Sequence, residues 1–267
     1  MSLILLTPLD LALAALLVLA LALLSLRFRL GLGLQLLVAA LRTTVQLLLV
    51  GLVLKALFAN VHLGWVALMG IVMLLAAGRE VMRRQQRRFR GAWGYGLGTL
   101  SMFISAFSVT LLVLLTVLGA EPWYEPQYAI PLLGMMLGNT MNGVALALDR
   151  LTHQVWEKRE QLETRLALGQ TAVEAVGEIR RDAMRVGMIP IINAMAAAGL
   201  ISLPGMMTGQ ILAGSPPLEA VKYQILIMFM IAAGTGFATM MAVTVGARHL
   251  FDRRERLRLE RITDGRF

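Results

Sequence analysis

The chain has 267 residues, 58% of them hydrophobic and only 15% charged, with a mean hydropathy of +0.72. Soluble domains are roughly 45–50% apolar and about 25% charged, so this composition calls for lipid as a solvent. The net charge of +9 would suit a nucleic-acid binder, but its bases sit in islands between long apolar runs, which excludes that first reading; zero cysteines exclude a disulfide framework, a thiolate metal site and a cysteine nucleophile.

A membrane-crossing helix needs about 20 mostly apolar residues. Residues 9–26 form the first such run; they lack the basic leader and small-residue cleavage site of a signal peptide and read as a span. An arginine at mid-bilayer costs at least about 2.5–3.5 kcal/mol. Arg42 therefore predicts a second span over 41–58, preceded by an interfacial lead-in helix over 27–40. Further spans are predicted over 63–77, 93–118, 130–148, 186–203 and 223–245, seven in all. The segment after Arg185 is irregular: Ser202-Leu203-Pro204-Gly205 interrupts it and Gly214-Ser215-Pro216-Pro217 ends its continuation in a turn. Such interruptions mark either a transport pathway or a helix that ends at the surface before a short interfacial one.

Orientation follows from the bases. The stretches 79–90, 149–185 and 248–267, with Arg27, Arg29 and Arg42, hold 23 of the 25 lysines and arginines. The N-terminus is thereby expected outside and the C-terminus in the cytoplasm, which only an odd number of spans allows. The expected fold is an all-α polytopic transmembrane helical bundle of about seven spans, multi-pass in the inner or plasma membrane. It is read as one permease domain over 1–267, with a cytoplasmic loop at 149–187 and a basic tail at 248–267.

Enzyme motifs are missing. No glycine-rich loop precedes any of the three lysines, Lys55, Lys158 and Lys222, so a Walker-type ATP site is excluded. No His-Glu-x-x-His and no Gly-x-Ser-x-Gly occurs. The chain reads as a non-enzyme with no cofactor of its own. The loop 149–187 carries seven acids and seven bases in alternation, the pattern of solvated helices rather than of a nucleic-acid arm. Within it Gly169 suits the left-handed position after a helix. Thr171-x-x-Glu174 suits the capping box that opens the next one. Two helices meeting at a capped turn make a rigid knob or, equally, a plain link between spans.

Glu163-x-x-x-x-Leu168-Gly169, with Ala175 six residues after the glycine, resembles the EAA loop of ATP-binding-cassette permeases. Thr164, Arg165 and Arg181-Asp182 depart from that pattern. The runs Ile130-Pro131-Leu132-Leu133-Gly134-Met135-Met136-Leu137-Gly138-Asn139, Arg181-Asp182-Ala183-Met184-Arg185 with Ile189-Pro190, and Gly199 through Gly209 resemble the FetB/YbbM family of such permeases. Arg42-Thr43-Thr44-Val45-Gln46 fits the same family. The resemblance implies a permease subunit that exports iron or another metal, paired with a separate ATPase chain that holds ATP and magnesium. It also implies two permease copies per transporter, and an ATPase docked at Glu163, Leu168, Gly169, Thr171, Glu174 and Ala175.

For the pathway, Asn139, Asn142 and Asn193 are polar groups in spans five and six, and Met135, Met136, Met206 and Met207 add thioethers. Thioethers favour soft ions such as Cu(I), whereas iron prefers imidazole and oxygen donors, so the residues do not define a metal site. Methionines at this spacing also serve as packing residues, and asparagines as interhelical glue. A permease for a sugar nucleotide or other organic molecule, or a non-transporting scaffold on anionic lipid, are the competing expectations.

Overall fold

The computed structural model describes residues 7–264; Arg266 of the predicted tail lies outside the described residues. The chain forms two compact units, Met1–His62 with Leu212–Gly214, and Leu63–Ile211 with Ser215–Phe267.

In the first unit, α1 (Pro8–Arg27) opens on a capping box. The Asp10 carboxylate accepts the Thr7 backbone N–H at 2.7 Å, so this acid closes a helix end instead of entering a pathway. A turn through Arg29 and Gly31, both at positive φ, returns the chain into α2 (Gly33–Ala59). Here the structure departs from expectation. There is no separate lead-in helix over 27–40; α2 runs unbroken for 27 residues. Proline is absent from it, so nothing interrupts the hydrogen-bond ladder. At 1.5 Å per residue it is about 40 Å long, which exceeds the roughly 30 Å hydrocarbon core. Arg42 lies nine residues, about 14 Å, from the start of α2, and its aliphatic stem shortens the distance from its charge to the interface.

The second unit is a bundle of α3 (Leu63–Arg84), α4 (Ala92–Leu118), α5 (Pro126–Glu157), α8 (Gly177–Ala197) and α10 (Pro217–His249). Between α5 and α8 lie the short helices α6 (Arg159–Ala167) and α7 (Ala172–Ala175), and α9 (Gly205–Leu212) precedes α10. Helix α4 contains two π-helical stretches, Phe103–Phe107 and Leu114–Leu118, and ends at Gly119 in the left-handed region. Helices α5, α8 and α10 pack on one another, and α3 lies against α5. They come close at two glycines: a Cβ on Gly187 would lie 2.7 Å from the Gly143 carbonyl oxygen and 2.7 Å from Cγ2 of Thr239. Small residues let helix backbones meet in lipid, where dispersion replaces the hydrophobic effect as the driving force. The fully buried Val144, Ala147 and Leu148 surround this crossing.

Among the described residues, six helices are long and apolar enough to cross a membrane: α1, α2, α3, α4, α5 and α10. The predicted span 186–203 is not one of them. Helix α8 begins nine residues earlier, at Gly177, runs through Glu178, Arg180, Arg181, Asp182 and Arg185, and stops at Ala197. Its apolar part measures only about 18 Å at 1.5 Å per residue. Beyond it Ala198 is extended and Gly199 has φ +84°, and the Ala197 carbonyl accepts the N–H groups of both Ile201 and Ser202. Helix α9 then adds eight residues, about 12 Å. The predicted seventh span is thus replaced by a divided segment, α8 followed by α9.

Candidate functional site

Two corners of the second unit hold the residues singled out by sequence. The first lies between α6 and α7. Helix α5 runs on to Glu157, well past the predicted membrane exit, so that Leu151 and Val155, with Leu162 of α6, are fully buried. After α6 the chain turns at Gly169, whose φ of +90° is a conformation that L side chains rarely adopt. The next helix opens on the expected capping box: the Thr171 N–H donates to the Glu174 carboxylate at 2.9 Å, and the Glu174 N–H to Thr171 Oγ1 at 3.3 Å. The backbone hydrogen bond from Thr171 holds the Glu174 carboxyl below its ordinary pKa. Ala175, Val176 and Ile179 are buried beneath the turn. Leu168 and Val173 stand out from it, 79% and 51% exposed. The corner is thus anchored below and apolar at its tip.

The departures from the permease loop pattern have structural roles. Arg165 donates to the Ala175 carbonyl at 3.4 Å and pairs with Glu178 at 3.1 Å, tying α6 to the start of α8. Asp182 accepts Arg150 Nε at 2.7 Å and Gln154 Nε2 at 2.8 Å, which joins α8 to α5. The Arg150 hydrogen bond, first among the causes, lowers the Asp182 pKa.

The described part of the basic tail, through Asp264, folds back on the bundle. Strand β2 (Ile262–Asp264) pairs antiparallel with β1 (Arg87–Phe89), Phe89 opposite Ile262. Asp252 accepts the N–H groups of Arg254 and Arg256, each at 2.9 Å, and these bonds bring its pKa down to about 2. Arg261 donates to the carbonyls of His249 and Phe251, satisfying acceptors at the end of α10. The His249 ring stacks on Trp93 with centroids 3.5 Å apart. Glu255 reaches the corner itself: its carboxylate accepts the Ala172 N–H at 3.0 Å, so the tail caps α7. Glu163, Gly169 and Gln170 line a cleft of about 590 Å³ with Arg254, Glu255 and Arg256. No local signal in the sequence marks Glu255; its partner lies 83 residues away.

The proposed pathway residues do not converge on one site. Met135, Asn139 and Asn142 share a stripe of α5 at i, i+4, i+7. The Asn139 amide donates back to the Met135 carbonyl at 2.8 Å, while Asn142 accepts from Arg84 of α3. Met136 is 1% exposed and packs on Gly234 of α10. Asn193 is exposed on α8, and Met206 packs on the core edge. Met207 alone of the seven lines the cavity at the divided segment, which holds about 470 Å³. With it stand Met195, Gln224 and Met228, which sequence reasoning missed. Their signal was available in part: Gln224 and Met228 are four residues apart on one helix face, and Met195 and Met207 flank the break. Among the described residues no group of three or more histidine, cysteine, aspartate or glutamate side chains stands where it could hold a metal ion.

Comparison with known proteins returns one family, UPF0014, described as an uncharacterised protein family and matched over residues 8–251. A UPF0014 membrane protein of Synechocystis is 38% identical over 223 residues, covering 84% of this chain and 85% of that protein. The Escherichia coli protein named "Probable iron export permease protein FetB" is 32% identical over 223 residues, covering 81% of each. The Arabidopsis thaliana protein named ALUMINUM SENSITIVE 3 is 34% identical over 203 residues, 76% of this chain and 71% of that protein. No solved structure matches.

Proposed function

The chain belongs to the UPF0014 family of multi-pass membrane proteins, and from that premise we propose that it is the permease subunit of an ATP-binding-cassette transporter. A separate ATPase chain binds ATP and magnesium, and two permease copies make one pathway. Iron or another metal ion is the exported cargo, a reading carried over from the printed name of the Escherichia coli relative. The observation that carries the proposal is the cytoplasmic corner. Leu168 and Val173 protrude from a turn that is capped at Thr171, anchored on Ala175 and braced by Arg165 and Glu255. An apolar tip on a rigid, polar base is what a partner groove can hold, and a turn that does not fray passes displacement on to α5 and α8. The 23 bases grouped on one side of the predicted spans support a cytoplasmic setting for this corner.

The test is co-purification with the cognate ATPase chain, with ATPase turnover measured in vesicles as metal is added. Leu168→Asp with Val173→Asp should abolish co-purification while leaving membrane insertion and melting temperature unchanged, because both side chains already face outward. Retained co-purification with this double variant would move the docking surface elsewhere. Vesicle efflux with and without Fe²⁺ separates metal from organic cargo.

A further inference from the structure

The cavity at the divided segment has a donor set of its own. Helix α8 ends at Ala197, and the break that follows faces the outer half of α10, where Val221, Gln224 and Met228 repeat at i, i+3, i+7 on one face. Met195 of the last turn of α8, Met207 of α9 and Met228 of α10 all line the cavity, so three elements each contribute one methionine to its wall. Gln224 is 8% exposed, and its side-chain oxygen is buried with no hydrogen-bond partner. A buried amide oxygen without a partner costs about 1–3 kcal/mol, a cost that a bound ligand removes. Along the helices, Met195 lies eight residues outward from Gly187 and Met228 eleven outward from Thr239. The cavity is therefore roughly 12–16 Å outward from the glycine crossing.

The donors are neutral and mostly soft. No carboxylate or imidazole lines the cavity. A divalent ion there would have no anionic donor to offset its desolvation, and Fe²⁺ prefers imidazole and oxygen ligands. Soft thioethers select Cu(I)-type ions, and a single positive charge needs less compensation. We infer that this cavity binds a soft monovalent cation of the Cu(I) and Ag(I) class, with the thioethers of Met195, Met207 and Met228 and the oxygen of Gln224 as donors. The assignment rests on the transport reading only for what the site is used for, since binding is a property of this chain alone.

The test titrates Ag⁺, a redox-inert probe, into the purified full chain in chloride-free nanodiscs by calorimetry, without any ATPase present. One saturable Ag⁺ per chain is expected. The triple variant M195L/M207L/M228L keeps side-chain volume and should lose at least the roughly 10–100-fold in affinity that even a disturbed outer shell costs a metal site. Q224L should weaken binding by less. Replacing Met135 and Met136 by leucine should leave it unchanged. If the triple variant does not fold, the three single leucine variants carry the test, each expected to weaken Ag⁺ severalfold. No saturable site, equal affinity in the methionine variants, or displacement of Ag⁺ by an equal concentration of Fe²⁺ overturns the inference. Loss of ATPase co-purification has no bearing on it.

Discussion

The corner at Gly169 and the break at Gly199 begin from the same local device and end as opposites. Each glycine takes a positive φ, +90° and +84°, and each stands beyond the C-terminal end of a helix with a short helix to follow. At the corner every element has a second support. Thr171 and Glu174 cap each other, Glu255 caps α7 from the tail, Arg165 bridges to Glu178, and Ala175 is buried. At the break Leu200 and Ile201 are 91% and 86% exposed, Pro204 supplies no N–H, and the neighbouring Gln224 oxygen has no partner. Two turns with one backbone solution thus differ in how many long-range contacts confirm it. The over-determined turn suits passing on force, and the under-determined one suits changing shape. Between them along α8 lies the tight Gly143–Gly187 crossing.

Breaking that crossing should have the largest effect. Gly187→Val puts a branched side chain where a Cβ already meets the Gly143 carbonyl oxygen at 2.7 Å and the Ala147 Cβ at 2.8 Å. Overpacking of this kind costs about 1–3 kcal/mol, occasionally more. The expected result is a sharp fall in monodisperse protein on size exclusion; a wild-type profile would mean that the helices separate without penalty.

The same substitution at the two turns sharpens the comparison directly. Gly169→Val and Gly199→Val both force an L side chain into a left-handed backbone, at about 1–2 kcal/mol each, and neither added Cβ meets an atom within 4 Å. In the proposed transporter, Gly169→Val should lower ATPase co-purification, and Gly199→Val should leave co-purification intact while altering transport and Ag⁺ binding. Identical phenotypes at the two positions would erase the distinction drawn between them.

The smallest expected effect concerns pH and the support that the tail lends to the corner. The folded pKa of Asp252, about 2, lies below the unfolded 3.8. A depressed carboxylate contributes stability that is complete above the unfolded value and lost as pH falls through the folded one. Amide protection factors across β2, at 262–264, should therefore hold down to about pH 4 and fall toward pH 2. Asp252→Asn should remove that dependence. Equal exchange in both proteins across this window would disconnect Asp252 from the fold of the tail.

The features legible in sequence were those whose cause is local. The composition alone made this a membrane protein, and the grouping of 23 of 25 bases predicted its orientation. Gly169 and the Thr171–Glu174 box were readable because a left-handed residue and a capping box each need only a few neighbours in the chain. Arg42 misled, because the cost of a charge in lipid implied a break that the uninterrupted backbone of α2 does not make. The span 186–203 misled in the other direction, since apolar composition does not reveal that Ala198 leaves the helix.

What the tertiary structure alone decided are the pairings between distant residues. Glu255 meets Ala172, β2 meets β1, and Met195, Met207 and Met228, from three helices, line one cavity with Gln224. Periodicity states which face of a helix a methionine occupies, but not which other face it will meet. That depends on how α5, α8 and α10 pack, including the tight contact of two glycines 44 positions apart in the chain, Gly143 and Gly187.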